Sequence, residues 1–412
     1  MAAAPLREAD ESTLAYPGWR VVRVCFAMAV VSWGFGFYGH AFYLVELQRL
    51  NGWPTALISS ATTAYYFVSA VLVVFISDVI RRLGARTCVL TGAGAFAASA
   101  AALPFVAEPA QLFAVYLLMA VGWAGMSVGA ITNILGLWFT TKRGLAISLA
   151  LNGASLSGVV VVPALVLLAG AAGFTGAMLA GAAFIVLLIT PLAVAYLGGA
   201  PPRSAGVGAG AANGSSAWTR QRALRSYAFW SVSAPFSLAL LSQAGFLVHL
   251  IAFLEPVTGR NTAGVAVAVT TAMAIVGRLV LGVIADRTNQ RLASALSLAS
   301  QAAALIVMTQ TRDANILLAA CAVYGFSVGN LITFPSLIVQ REFDAASFGL
   351  LVGLSTAITQ FTYAFGPGLL GLVRDLSGSY TASLLLCVVL NLIAAAIVLR
   401  GPTADGTAAG FN

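Results

Sequence analysis

Charge is the first thing missing from this sequence. Only 8% of its 412 residues are charged, 60% are hydrophobic, and the mean hydropathy is +0.94. A soluble domain covers its surface with roughly a quarter charged residues, so a water-soluble globule is excluded. Strict alternation of apolar and polar residues is absent too. The apolar runs are continuous, which excludes a membrane β-barrel and leaves helices to satisfy the backbone in a bilayer. Cysteine is scarce: Cys25, Cys88, Cys321 and Cys387 stand far apart inside apolar runs, with no CxxC spacing to suggest a disulfide frame or a metal site. No Walker sequence or dinucleotide fingerprint occurs in a strand-to-helix setting, which argues against ATP-driven transport and against a cofactor. Residues 1–16 lack the charged lead and short apolar core of a cleavable signal peptide, so the first span is expected to act as its own insertion signal. The spans hold no cluster of carboxylates, cysteines or histidines from which a membrane enzyme could be built.

Twelve apolar runs are what the sequence does contain. A hydrocarbon core of roughly 30 Å takes about 20 helical residues. The runs fall at 21–45, 56–77, 87–107, 110–137, 144–170, 174–197, 228–253, 263–285, 292–310, 314–339, 347–372 and 381–399. They predict an all-α membrane protein of 12 transmembrane helices. The longest polar stretch, 198–226, is rich in Gly, Ala and Ser and ends in Arg220, Arg222 and Arg225; such a composition makes a flexible linker. The expected organisation is therefore an N-terminal six-helix bundle (1–197), a cytoplasmic linker (198–226) and a C-terminal six-helix bundle (227–412). With the N-terminus cytoplasmic, 16 basic residues fall inside and four outside, namely Arg49, Arg260, Arg312 and Arg374. Basic residues concentrate in cytoplasmic loops, which predicts a multi-pass protein of the cell (inner) membrane with both termini cytoplasmic. Topology then accounts for the net charge of +8, and no nucleic-acid partner is needed.

One basic residue is left over. Arg278 lies within the eighth run, eight residues before Asp286, or about 12 Å inside the expected cytoplasmic end. An arginine stays protonated, and a charge at mid-bilayer costs at least ~2.5 kcal/mol. It should face a watery cavity and pair with an anion. No Asp or Glu lies deep in any span, since Asp78, Asp286, Glu46 and Glu255 are all at ends. A substrate carboxylate is the natural partner, and the same lack of acids disfavours cationic cargo. A small carboxylate accompanied by a proton would keep the arginine's charge balanced. The only histidines, His40 and His249, sit in the outer third of one span in each half and are the proton-coupling candidates. Tyr38, His40, Tyr66, Asn330 and Gln360 are further candidate cavity residues, although polar groups within spans also join helices by hydrogen bonds. Glycines such as Gly122, Gly125, Gly153 and Gly158 recur at spacings that let helices approach closely, and Gly366-Pro367 is expected to kink the eleventh span.

The two halves echo each other. Asp78 with Arg81 and Arg82 follows the second run, and Asp286-Arg287 follows the eighth; duplicated six-helix units are a transporter architecture. Five segments resemble the major facilitator superfamily, and within it the monocarboxylate and oxalate/formate porter group. They are Pro17-Gly18-Trp19, RRLGAR at 81–86, WFTTKRGLAISLALNGASLSG at 138–158, GRLVLGVIADR at 277–287 and GPGLLGLVRDLSGSY at 366–380. The resemblance implies the twelve-helix, two-bundle major facilitator fold and alternating access. It also implies a substrate-binding role for Arg278 and a gating motif comprising Asp78, Arg82, Arg86, Gly282, Asp286 and Arg287. Animal members carry an aspartate one turn before that arginine, where this chain has Ala274. The expected function is proton-coupled transport of a small monocarboxylate by a monomer. The alternatives are export or exchange of a larger organic anion, and a non-transporting sensor or scaffold.

Overall fold

The computed structural model describes residues 11, 13, 16–139, 142–198, 218–284, 288–344 and 347–401. Among the described residues, ten helices are long and apolar enough to cross a bilayer: Gly18–Asn51, Thr55–Val74, Ala85–Phe105, Pro109–Trp138, Arg143–Tyr196, Tyr227–Thr258, Arg260–Leu281, Gln290–Gln310, Ala314–Leu331 and Tyr380–Leu399. The 54-residue helix Arg143–Tyr196 is two spans meeting at Gly173, whose φ of 73° is left-handed and reverses the chain. Glycine has no Cβ to clash there, which is why so short a turn suffices. The eleventh span consists of Phe348–Tyr363 and Gly366–Ser377, interrupted just before Gly366-Pro367. Twelve spans result, and they are numbered first to twelfth in chain order below.

Side-chain caps mark several starts. Asn289, Asp313 and Ser379 accept from backbone N–H groups at the ninth, tenth and twelfth spans, satisfying donors that the first helical turn leaves free. Leucine and valine side chains such as Val160, Leu187, Leu296 and Leu376 are exposed on the outside of the helices, as a lipid-facing surface requires.

The first span is irregular. Its helix Gly18–Trp33 passes through a π-helical turn at Gly34–Tyr38 before resuming as Gly39–Asn51. A π turn inserts a residue into the helical ladder and often marks a functional position. Here it re-aims Tyr38 and sets the register of His40.

Among the described residues, the N-terminal six spans meet the C-terminal six chiefly through the first with the seventh, the second with the eleventh, and the fifth with the eighth. The last pair is tight, because a Cβ built on Gly158 would lie 2.3 Å from Thr271 Cγ2. Polar ties across this seam cluster at the end carrying the Asn51, Gly259 and Gly378 turns. Arg49 donates to Glu255, Arg260 to Glu46 at 2.6 Å, and the Ala56 N–H to Asp375 at 2.6 Å. Further in, Ser59 meets His249 at 3.2 Å and the Gly368 N–H donates to Thr63 at 3.0 Å. Further from that end, Arg278 donates to Ser155. The molecule is closed at one end of the seam.

Candidate functional site: an arginine at the bundle seam

Arg278 sits 18 residues into the eighth span from Arg260, about 27 Å along the helix from the closed end. Close backbone packing fixes its position. A Cβ on the preceding Gly277 would fall 1.8 Å from the Phe326 carbonyl, so the eighth and tenth helices touch at that point. The half-buried guanidinium points at the seam. Nη1 donates to Ser155 Oγ of the fifth span at 3.3 Å, and Nε donates to the Gly329 carbonyl at 3.4 Å. Both distances are long for N–H···O bonds and both acceptors are neutral. Among the described residues, no carboxylate forms an ion pair with Arg278. Tyr38, aimed by the π turn, lies within electrostatic reach of its charge.

Tyr38 begins an aromatic wall. Its ring lies 5.1 Å from Phe37, Phe37 lies 6.1 Å from Tyr66, and Tyr66 lies 5.4 Å from Tyr363 of the eleventh span. Behind this wall His40 is fully buried, ringed by Tyr43, Tyr65, Tyr66 and Tyr116 at centroid distances of 5.7, 4.7, 5.5 and 5.3 Å. Neither of its ring nitrogens is hydrogen-bonded, nor are the hydroxyls of Tyr43 and Tyr66. The Gly36 carbonyl is close enough to polarise the ring, but it is out of line for a bond and accepts instead from Tyr65 at 2.7 Å. His40 belongs to the N-terminal half alone.

His249 stands elsewhere. Its Nε2 is 3.2 Å from Ser59 Oγ and 3.0 Å from the Pro367 carbonyl, and its Nδ1 is 3.2 Å from the Tyr380 hydroxyl. It therefore bridges the seam at the closed end, well away from Arg278. Asn330 neighbours Gly329, yet its side chain donates to Phe326 O at 3.3 Å and lines an apolar groove of about 530 Å³ between the eighth, ninth and tenth spans. Gln360 is half-buried on the eleventh span beside Thr359, whose hydroxyl meets Ser237 at 3.0 Å. Among the gating residues, Asp78 pairs with Arg81 at 2.7 Å, Arg86 donates to the Val194 carbonyl at 2.7 Å, and Arg82 is exposed. Gly282 lies in the helix Arg260–Ile284. Asp286 and Arg287 lie outside the described residues.

Sequence reasoning missed Ser155, a small residue with no spacing signal of its own. It also placed Glu46 and Glu255 merely at helix ends, although a signal was present. His40 and Glu46 in the first span share the spacing of His249 and Glu255 in the seventh, and both glutamates form ion pairs across the seam.

Comparison with known proteins agrees with this architecture. The chain is 29% identical to monocarboxylate transporter 11 of Homo sapiens, over 94% of this chain and 83% of that protein. It is 28% identical to monocarboxylate transporter 11 of Mus musculus, over 90% and 84% respectively. Among solved structures, a bacterial homolog of the human lysosomal transporter Spinster, in an inward-facing and occupied conformation, superposes with a TM-score of 0.72. That match covers 95% of this chain and 97% of the other at 15% identity. The inward-facing and unoccupied form gives 0.73 at 14% identity, over 95% and 98%; likeness at this identity concerns the fold alone. The sequence pattern of the Major Facilitator Superfamily matches residues 24–367. Twelve apolar helices in two bundles, meeting at a seam that is closed at one end, thus have a place: this chain belongs to the major facilitator superfamily, a membrane transporter and not an enzyme.

Proposed function

We propose that the chain carries a small monocarboxylate across the membrane by alternating access, with Arg278 holding the substrate carboxylate. One observation carries this: a permanently charged guanidinium at the seam of the two bundles, held only by two long bonds to neutral acceptors. A carboxylate offers two oxygens in the geometry the guanidinium fork prefers, so it would outcompete Ser155 and Gly329. Tyr38 stands within reach of the Arg278 charge and begins the aromatic wall that runs through Phe37 to Tyr66. One such cation suits a monoanion. The similarity to monocarboxylate transporter 11 supports the same class.

With both termini cytoplasmic, as the arginine distribution argues, the closed end faces outward and Arg278 opens toward the cytoplasm. The stretch 198–226 then serves as the cytoplasmic linker between the bundles 1–197 and 227–412, and the monomer is the working unit. A proton travels with the substrate to balance its charge, with His40 and His249 as the groups available to carry it. In proteoliposomes, labelled lactate or pyruvate uptake should rise with an inward proton gradient and vanish in folded Arg278→Lys. Uptake that ignores the gradient overturns the coupling, and uptake that survives the substitution overturns the site. A second reading, a larger aromatic carboxylate as cargo, is favoured by the wall of Phe37, Tyr38, Tyr66 and Tyr363. Competition by benzoate against lactate separates the two.

A further inference from the structure

The closed end holds a second pocket of about 560 Å³, straddling both bundles and lined in part by Gln48, Arg49, Glu255, Arg260, Arg374 and Tyr380. Its charged wall residues are three arginines and one glutamate, a formal charge of +2. The compensating acids stand behind that wall. Glu46 takes Arg260 Nη2 at 2.6 Å and Arg49 Nη1 at 3.0 Å, while Asp375 takes Arg374 at 3.0 Å and the Ala56 N–H at 2.6 Å. Donors remain unused at this end. Arg260 Nε is enclosed and makes no hydrogen bond, and the Arg374 guanidinium lies 5.7 Å over the Tyr380 ring.

We propose that this pocket binds an organic carboxylate, separately from Arg278. The volume lies in the range of small-molecule sites, about 300–1,000 Å³. The Tyr380 ring offers an apolar wall for the body of the acid, and Arg374 supplies donors for its oxygens, joined by Arg260 Nε once the closed end loosens and uncovers it. Such an anion also competes with Glu255 for Arg49. The pairs Arg49–Glu255 and Arg260–Glu46 are ion pairs that cross the seam here, so an anion that satisfies these arginines in place of the glutamates binds the loosened state better than the closed one. By linkage, its arrival favours opening of this end. The pocket is thus a recruiting site whose occupancy is coupled to the gate.

The site stands or falls independently of Arg278, and one experiment separates the two. The full chain in nanodiscs is titrated with 4-fluorobenzoate and followed by ¹⁹F NMR. Wild type should show a bound signal from this pocket, with a second from Arg278 on the reading that admits an aromatic cargo. Folded Arg278→Lys should keep the pocket signal, and Arg374→Gln should lose it, its affinity falling about tenfold or more, as expected for a lost charge-assisted contact. Ala252→Phe, which narrows the pocket without changing its charge, should lose the same signal and guards against misfolding of the arginine variant. A single bound signal abolished by Arg278→Lys overturns the proposal, as does no bound signal in wild type, or a signal that survives Arg278→Lys but is indifferent to both Arg374→Gln and Ala252→Phe. Should both signals survive Arg278→Lys while Arg374→Gln removes one, the pocket is upheld and the central assignment fails.

Discussion

Neutralising Glu46 should loosen the closed end of the seam by an amount the structure bounds. Its carboxylate is 8% exposed and accepts from Arg260, on the other bundle, and from Arg49, on its own helix. Only the Arg260 pair crosses the seam, so only that pair weighs in the balance between closed and open ends. Fully exposed ion pairs contribute about 0–1 kcal/mol, whereas truncating a buried charged partner costs about 2–5 kcal/mol. Arg260 is 28% exposed, which places Glu46→Gln between these limits, at about 1–2 kcal/mol, or a roughly 5- to 30-fold shift toward the open end. Glu255→Gln removes the reciprocal pair with Arg49. Because both glutamates share Arg49, the double variant should depart from additivity. Spin labels at Leu50→Cys and Val257→Cys, both exposed positions on opposite bundles, report the gap. The four native cysteines are buried and do not compete for label. The double variant should broaden the distance distribution toward longer separations. A distribution identical to that of wild type, with both carboxylates neutralised, refutes the claim that these pairs hold the end shut.

Ser155→Ala removes a ligand of Arg278 that the substrate must displace, held by a bond of only 3.3 Å and contributing about 1 kcal/mol, so lactate binding should hold or tighten, by no more than ~5-fold. An effect as large as that of Arg278→Lys would move the site toward the fifth span. Gly158→Val drives side-chain carbon into Thr271, and overpacking of this kind costs about 1–3 kcal/mol. Lower thermal stability with partial recovery in Gly158→Val/Thr271→Ala is expected, and no change in melting would deny the close approach of the fifth and eighth spans. Tyr43→Phe deletes a buried hydroxyl that makes no hydrogen bond, so thermal stability should hold or rise. His249→Phe, by contrast, removes a side chain with polar partners on three other spans and should lower it. Melting curves of the two variants that do not differ would contradict the assigned hydrogen bonding.

Most of the fold was legible because its physics is one-dimensional. A bilayer demands about 20 apolar residues per helix, and the twelve runs satisfy that without reference to partners. The break at Gly366-Pro367 was readable for the same local reason. Arg278 was legible as well, since a charge within an apolar run is an anomaly visible in any window. What remained hidden depends on juxtaposition. Spacing says nothing of which small residue of the fifth span lies opposite Arg278, so Ser155 could not be named. Asn330 carries the right chemistry in the right span, but helix rotation turns its side chain into the groove between the eighth, ninth and tenth spans. The π turn at Gly34–Tyr38 shifts the register of the first helix midway, which an ideal helical wheel does not anticipate.

Two arginines of the C-terminal half serve as internal controls for each other. Arg291 is held by Glu342 through Nε at 2.6 Å and Nη2 at 2.7 Å, and it also donates to the Val398 carbonyl at 2.8 Å and to Ser231 Oγ at 2.9 Å. Its fork is saturated by a bidentate carboxylate and further short bonds, the arrangement expected of a cation whose task is to tie helices together. Arg278 has two bonds of 3.3 and 3.4 Å, both to uncharged oxygen. It lies where a desolvated charge costs far more than it does at the helix-end position of Arg291. If Arg278 were only a strut, the deeper residue should be the better paired, yet it is the worse. On the function proposed above, the cost of that placement is offset by a partner that comes and goes, and a carboxylate delivered to the seam would supply for Arg278 what Glu342 supplies permanently for Arg291.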